Sequence, residues 1–152
     1  MTDAADSYDL HDSLGYQITL LARITERRFE QALTPLGLSR VTWCVLLALG
    51  QQGLDSPSAI AGYIGIDRTA TSRALRRLER DGCISRKGGT QDRRMTEVSI
   101  TSLGRQKLAA ATEAAQGNAH YFSQKLSWYE RDSLKTIIAT LMEGEARNVS
   151  GL

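Results

Sequence analysis

The sequence predicts a mainly α fold that carries one small β-hairpin. Three observations point there. Apolar residues recur at helical intervals at both ends of the chain, a short helix and a glycine turn lead into a strongly basic central helix, and the stretch behind that helix reads as two short strands joined through Gly88 and Gly89. With 152 residues, 41% of them apolar and 24% charged, the chain suits one domain, 1–152, with a sizeable core.

The first helix is expected over about 10–33, where Leu14, Ile18, Leu21, Ile24 and Phe29 mark one stripe and "TPLG" ends the run with proline and glycine. Ser39 reads as the N-cap of a second, strongly apolar helix through Leu49, closed by Gly50 and Gly53. Ser56 and Pro57 open a short third helix that ends near Ile64, since proline at the first helical position loses no hydrogen bond. Gly65 makes the turn, Asp67 caps the helix "RTATSRALRRLER", and Gly82 terminates it.

Beyond Gly82, "CISRK" and "MTEVSIT" form the hairpin strands, with Thr96, Val98 and Ile100 on one face. A long alanine-rich helix is expected from Ser102 to about Leu126. Ser127 and Glu130 then make a capping box for a last helix, whose Leu134, Ile137, Ile138, Leu141 and Met142 form an apolar stripe suited to packing on another helix.

The net charge of +2 says little, but its distribution is uneven. Residues 67–94 hold nine Lys/Arg against four acids, a surplus of five, while the rest of the chain sums to −3. The opening "MTDAADSYDLHDS" is acidic and lacks the basic and apolar regions of a secretory or transit signal, and the longest apolar run, "VTWCVLLAL", is half a membrane span. The expected location is therefore the cytoplasm, with no membrane partner. Cys44 and Cys83 lie 39 residues apart without a CxxC pair, which reads as two buried free thiols. His11 and His120 stand alone with no metal-ligand spacing, so neither a metal nor a cofactor is expected.

Projected at about 100° per residue, the basic helix puts Ala70, Ala74, Leu75 and Leu78 on one face with Thr71 between them. Thr69, Ser72, Arg73, Arg76 and Arg80 gather opposite, with Arg68 and Arg77 on the flanks. Small hydroxyls at a helix N-terminus followed by guanidinium groups suit phosphates and base edges in a DNA major groove. A short helix, a tight turn and a reading helix, with a hairpin directly after, is the order of a winged helix-turn-helix over 39–101. The wing tip would lower Arg93 into the electronegative minor groove. Asp92 and Arg94, one residue apart in a strand-like segment, point the same way and are expected to pair, shaping the wing. The expected DNA contacts are Arg68, Thr69, Thr71, Ser72, Arg73, Arg76, Arg77, Arg93 and Arg94.

On these residues the chain resembles the MarR family, the multiple antibiotic resistance regulators, over nearly its whole length. That family's wing signature, D-x-R-x5-L-T-x-x-G, is met by Asp92, Arg94, Thr101 and Gly104, with Ile100 in place of leucine; "TATSRALRRLERDGCISR" and "LSWYERDSLKTIIATLMEG" resemble its recognition helix and last helix. The resemblance implies a homodimer joined through terminal helices, here 10–33 and 102–147, that binds a pseudo-palindromic double-stranded operator as a repressor. It also implies release by small aromatic or phenolic anions, or by cysteine oxidation, in a cleft for which Tyr16, Arg23 and Trp43 are the candidate contacts. The family's organic-peroxide sensors carry a cysteine early in the first helix; "LHDSLGYQITLL" has none, which favours a ligand response.

Two other classes compete. An enzyme would need machinery the sequence lacks: there is no G-x-S-x-G, H-E-x-x-H, Walker A or dinucleotide fingerprint. A winged module that binds protein through its helix face or wing is the other alternative, as is a regulator that senses oxidants through Cys44 or Cys83.

Overall fold

The computed structural model describes residues 8–88 and 96–146. It is mainly helical: α1 (Leu14–Leu33), α2 (Arg40–Gly50), α3 (Pro57–Ile64), α4 (Arg68–Arg80), β1 (Ile84–Gly88), β2 (Thr96–Ile100), α5 (Ser102–Ser123) and α6 (Trp128–Leu141), with a 3-10 turn at Thr34–Leu36. No single described helix is long and apolar enough to cross a membrane.

Capping sets most of the boundaries. Ser39 and Thr42 close a reciprocal box at the start of α2, Ser56 accepts from Ala59 N ahead of α3, Asp67 accepts from Ala70 N ahead of α4, and Ser127 and Glu130 close a box on α6. The first helix departs from expectation, starting at Leu14 and not near Leu10. Asp9 Oδ1 accepts from the backbone N–H groups of His11 (2.9 Å) and Asp12 (3.3 Å), giving those residues a turn in place of a helical ladder. Similarly, α5 closes at Ser123, before Leu126, and its last residues fold into a turn that leads to the Ser127 cap.

The core forms where α2, α4 and α5 meet under the hairpin. Val45 and Leu46 of α2, Ile60 of α3, Leu75 and Leu78 of α4, Cys83, and Val98 of β2 are almost fully buried, joined by Leu33 from the end of α1 and Leu108 from α5. Burial of a side chain of this size stabilises the fold by roughly 1.5–3 kcal/mol. The strands pair antiparallel with Ile84 opposite Ile100 and Arg86 opposite Val98. The free edge of β2 is pinned as well, because Val98 N donates to Asp55 O at 2.7 Å, tying the hairpin to the loop before α3.

The outer helices differ in character. Of α1 only Phe29 and Leu33 are buried, while Leu14, Ile18, Leu20, Leu21 and Ile24 are exposed. No residue of α6 is buried, and its whole apolar stripe, Leu134, Ile137, Ile138, Leu141 and Met142, faces solvent together with Trp128 and Tyr129.

Candidate nucleic-acid interface

Helix α4 divides cleanly into two faces. Ala74, Leu75 and Leu78 are buried with Thr71, whereas Arg68, Thr69, Arg73, Arg76, Arg77 and Arg80 are exposed and Ser72 is half-buried. Arg76 Nη2 donates to Ser72 Oγ at 3.0 Å, one turn back, so the hydroxyl and guanidinium of this strip form one polar surface. The buried face anchors the helix, and every group left outside can exchange water for phosphate oxygens or base edges without disturbing the core.

Thr71 corrects the expectation. It is only 2% exposed, and its hydroxyl donates to Asp67 O at 2.8 Å, which spends the donor inside the first helical turn. It belongs to the core face and is out of reach of a ligand on the other side. Asp92, Arg93 and Arg94 lie outside the described residues, so the wing tip and its expected ion pair have no geometry here.

Both flanks of α4 are tied to neighbouring elements. On one, Arg86 of β1 donates Nε to Glu79 Oε2 at 2.8 Å and also bonds it through Nη2. These hydrogen bonds hold the Glu79 carboxyl below the usual carboxylate range, against an opposing desolvation and with a smaller contribution from the guanidinium charge. On the other flank, Arg77 Nη2 donates to Gly37 O at 3.2 Å, and Arg77 Nε lies 3.8 Å from Asp81, which also meets Arg80 Nε at 3.4 Å. Charge counting does not single out either tie. The first has a sequence signal, an acid seven residues before a strand arginine across the Gly82 turn; the second ends on a backbone carbonyl and has none.

The base of the wing is held by the Thr101–Gly104 segment. Thr101 Oγ1 donates to Gly82 O at 2.6 Å and accepts from Gly104 N at 3.1 Å, while Thr101 N donates to Cys83 O at 3.0 Å. One residue therefore caps α5 and locks it to the turn that ends α4.

The three candidate effector contacts have different neighbours. Trp43 packs edge-on against Phe29 with ring centroids 4.9 Å apart, Tyr16 is half-buried beside the His11 ring at 5.1 Å, and Arg23 is exposed on α1. A shallow cavity of about 320 Å³ opens where the end of α2 meets α5, lined by Gln51, Arg105, Leu108 and Thr112 among others; none of Tyr16, Arg23 and Trp43 lines it. Both thiols are pushed up by burial, against a smaller opposing effect of Arg40 at Cys44 and of Lys107 at Cys83. A raised thiol holds less reactive thiolate at neutral pH than an ordinary one. Among the described residues no group of three His, Cys, Asp or Glu side chains is placed to hold a metal ion.

Comparison with known proteins gives concordant matches. The sequence pattern of the MarR family matches residues 36–95, from the elbow after α1 past β1. The uncharacterized HTH-type transcriptional regulator YwoH of Bacillus subtilis is 30% identical over 94 residues, covering 62% of this chain and 68% of that protein. The transcriptional repressor MprA of Escherichia coli is 28% identical over 142 residues, 87% of this chain and 80% of MprA. Among solved structures, a mutant MarR from E. coli complexed with operator DNA superposes with a TM-score of 0.77 at 21% identity, covering 88% of this chain and 99% of that one.

Proposed function

The chain belongs to the MarR family of transcriptional regulators, and on that premise we propose that it acts as a homodimeric repressor of a pseudo-palindromic operator. The observation that carries this reading is the two-faced α4: an arginine and hydroxyl strip of Arg68, Thr69, Ser72, Arg73 and Arg76, presented outward by a helix whose other face is locked in the core. In this reading α4 enters the major groove, and Arg93 of the wing reaches the adjacent minor groove.

Dimerisation supplies the second half-site. The apolar stripes of α1 and α6 are exposed among the described residues, and a two-fold interface would bury both at once. Two such subunits would place their reading helices roughly 34–36 Å apart, one turn of DNA. The similarity of the chain to the repressor MprA supports repression as the sign of the regulation. Release would follow from a small aromatic or phenolic anion, the effector class the family resemblance implies, provided it binds the conformation that cannot hold DNA more tightly than the one that can.

The test is to sequence the genomic fragments retained by the purified protein and to repeat the binding across a salt series. An inverted repeat with half-sites about one turn apart, and an affinity that falls steeply with salt through counterion release, is the expected result. Binding no stronger than to random duplex would overturn it in favour of a winged module that binds protein.

A further inference from the structure

The elbow between α1 and α2 is a fixed corner. Gly37 adopts φ 68°, its N–H donates to Thr34 O at 3.0 Å, and the next residue, Leu38, is buried with its N–H on Leu33 O at 3.3 Å. This corner is where the chain passes from the apolar arm of α1 to the lobe that carries α4. The carbonyl it presents outward, Gly37 O, is the one that accepts from Arg77 Nη2.

Arg77 lies about 85° around α4 from the centre of the outward strip, on the side that turns toward the elbow. Its guanidinium spans two anchors, Gly37 O at 3.2 Å and, through Nε, Asp81 at 3.8 Å, at the C-terminal end of the same helix. A planar fork suits such a bridge, since it offers donors at fixed angles to two acceptors at once, which a lysine ammonium on its flexible stem does not.

We propose that Arg77 is a positioning residue: by bridging the elbow carbonyl and Asp81 it fixes the recognition helix relative to the α1 arm, and so sets the half-site spacing that a pair of subunits accepts. This rests on the reading of the protein as a dimer on two half-sites. Arg77 then differs from Arg73 and Arg76 in kind: those face outward, while Arg77 reaches sideways to backbone. Each tie is weak because it is half-exposed, yet a weak tie is enough to bias a rotation between two bodies that the core already holds together.

The experiment compares the parent protein, Arg77→Met and Asp81→Asn on the retained operator and on versions with the half-sites moved by one and by two base pairs, each across a salt series. For Arg77→Met the slope of log affinity against log salt is expected to equal the parent's, and the preference for the native spacing to narrow by roughly fivefold, the size of one lost hydrogen bond and one exposed ion pair. Asp81→Asn removes one anchor without removing a cation, and is expected to narrow the same preference in the same direction. A slope lowered by about one, the mark of a lost phosphate contact, or a spacing preference as sharp as the parent's in both variants, overturns the proposal. If the parent itself retains no inverted repeat, the fault lies with the dimeric-repressor reading, and that outcome is read before either variant.

Discussion

Gly104, in the first turn of α5, packs directly on the backbone carbonyl of Cys83: a β-carbon at this position would collide with that oxygen and would stand 2.8 Å from Ile100 Cγ1. The partner is backbone at the start of β1 and cannot swing aside. Gly104→Ala is therefore expected to destabilise the protein by on the order of 3 kcal/mol or more, read as a lower urea midpoint, with the hairpin displaced from α5. A change below about 0.5 kcal/mol would mean that the two elements are not in this contact.

Thr101 works at the same junction through hydrogen bonds. Replacing it by valine keeps the shape but removes the cap on Gly104 N and the donor to Gly82 O, and the expected loss is about 1–2 kcal/mol. Thr101→Ser keeps both bonds and should recover most of that loss in the same denaturation measurement. A serine variant as unstable as the valine one would show that the threonine methyl packs as importantly as the hydroxyl bonds.

The T-x-x-G half of the family wing signature is thus legible as physics once the structure is known, although the sequence shows only the residue types. What is legible beforehand is local: Ser39, Ser56, Asp67 and Ser127 cap the helices that follow them because a cap needs only its own N2 or N3 amide. The two faces of α4 follow equally from its periodicity. The rest depends on partners distant in sequence. No residue type announces that Gly37 O or Cys83 O will be an acceptor, and nothing in "SYDLHDS" says that Asp9 captures two amides before the helix can start. Thr71 projects within the apolar face, but its hydroxyl makes it look equally fit for DNA until Asp67 O is seen to hold it.

That placement separates Thr71 from its neighbours experimentally. Thr71→Val removes a buried hydrogen bond, so a stability change of about 1 kcal/mol in either direction is expected, with operator affinity and discrimination against random DNA unchanged. Arg73→Ala and Arg76→Ala should do the reverse, leaving stability within about 0.5 kcal/mol while lowering operator affinity. Loss of discrimination would mark a base contact and a uniform loss a phosphate contact, worth about 1–3 kcal/mol for a bidentate base pair. If Thr71→Val relaxed specificity, the division of α4 into core and reading faces would be wrong.

The Glu79–Arg86 tie carries a pH signature. The folded-state pKa of Glu79 is depressed, chiefly by hydrogen bonds from Arg86, so its contribution is fully present above the unfolded-state value of about 4.3 and is lost as pH falls through the lower folded value. At neutral pH the brace between α4 and β1 is intact. Acid titration followed by the NMR resonance of the Arg86 Nε–H should show its release with a midpoint below that of an ordinary glutamate, and Glu79→Gln should abolish the transition. A midpoint at the ordinary value would show that the pair is not formed in solution.

The apolar stripe of α6 gives the remaining prediction. Ile137 is 54% exposed and no residue of α6 is buried against the other described residues, so Ile137→Glu should disturb little within the subunit. In a two-fold dimer the same substitution strikes the interface from both sides, removing roughly 1.5–3 kcal/mol of apolar burial per fully covered isoleucine and placing a carboxylate where it is poorly solvated. The expected outcome is a folded monomer by sedimentation, with helical circular dichroism unchanged and operator affinity reduced toward that of a single half-site. If Ile137→Glu stays dimeric with full affinity, the Ile137 face of α6 is not part of the interface.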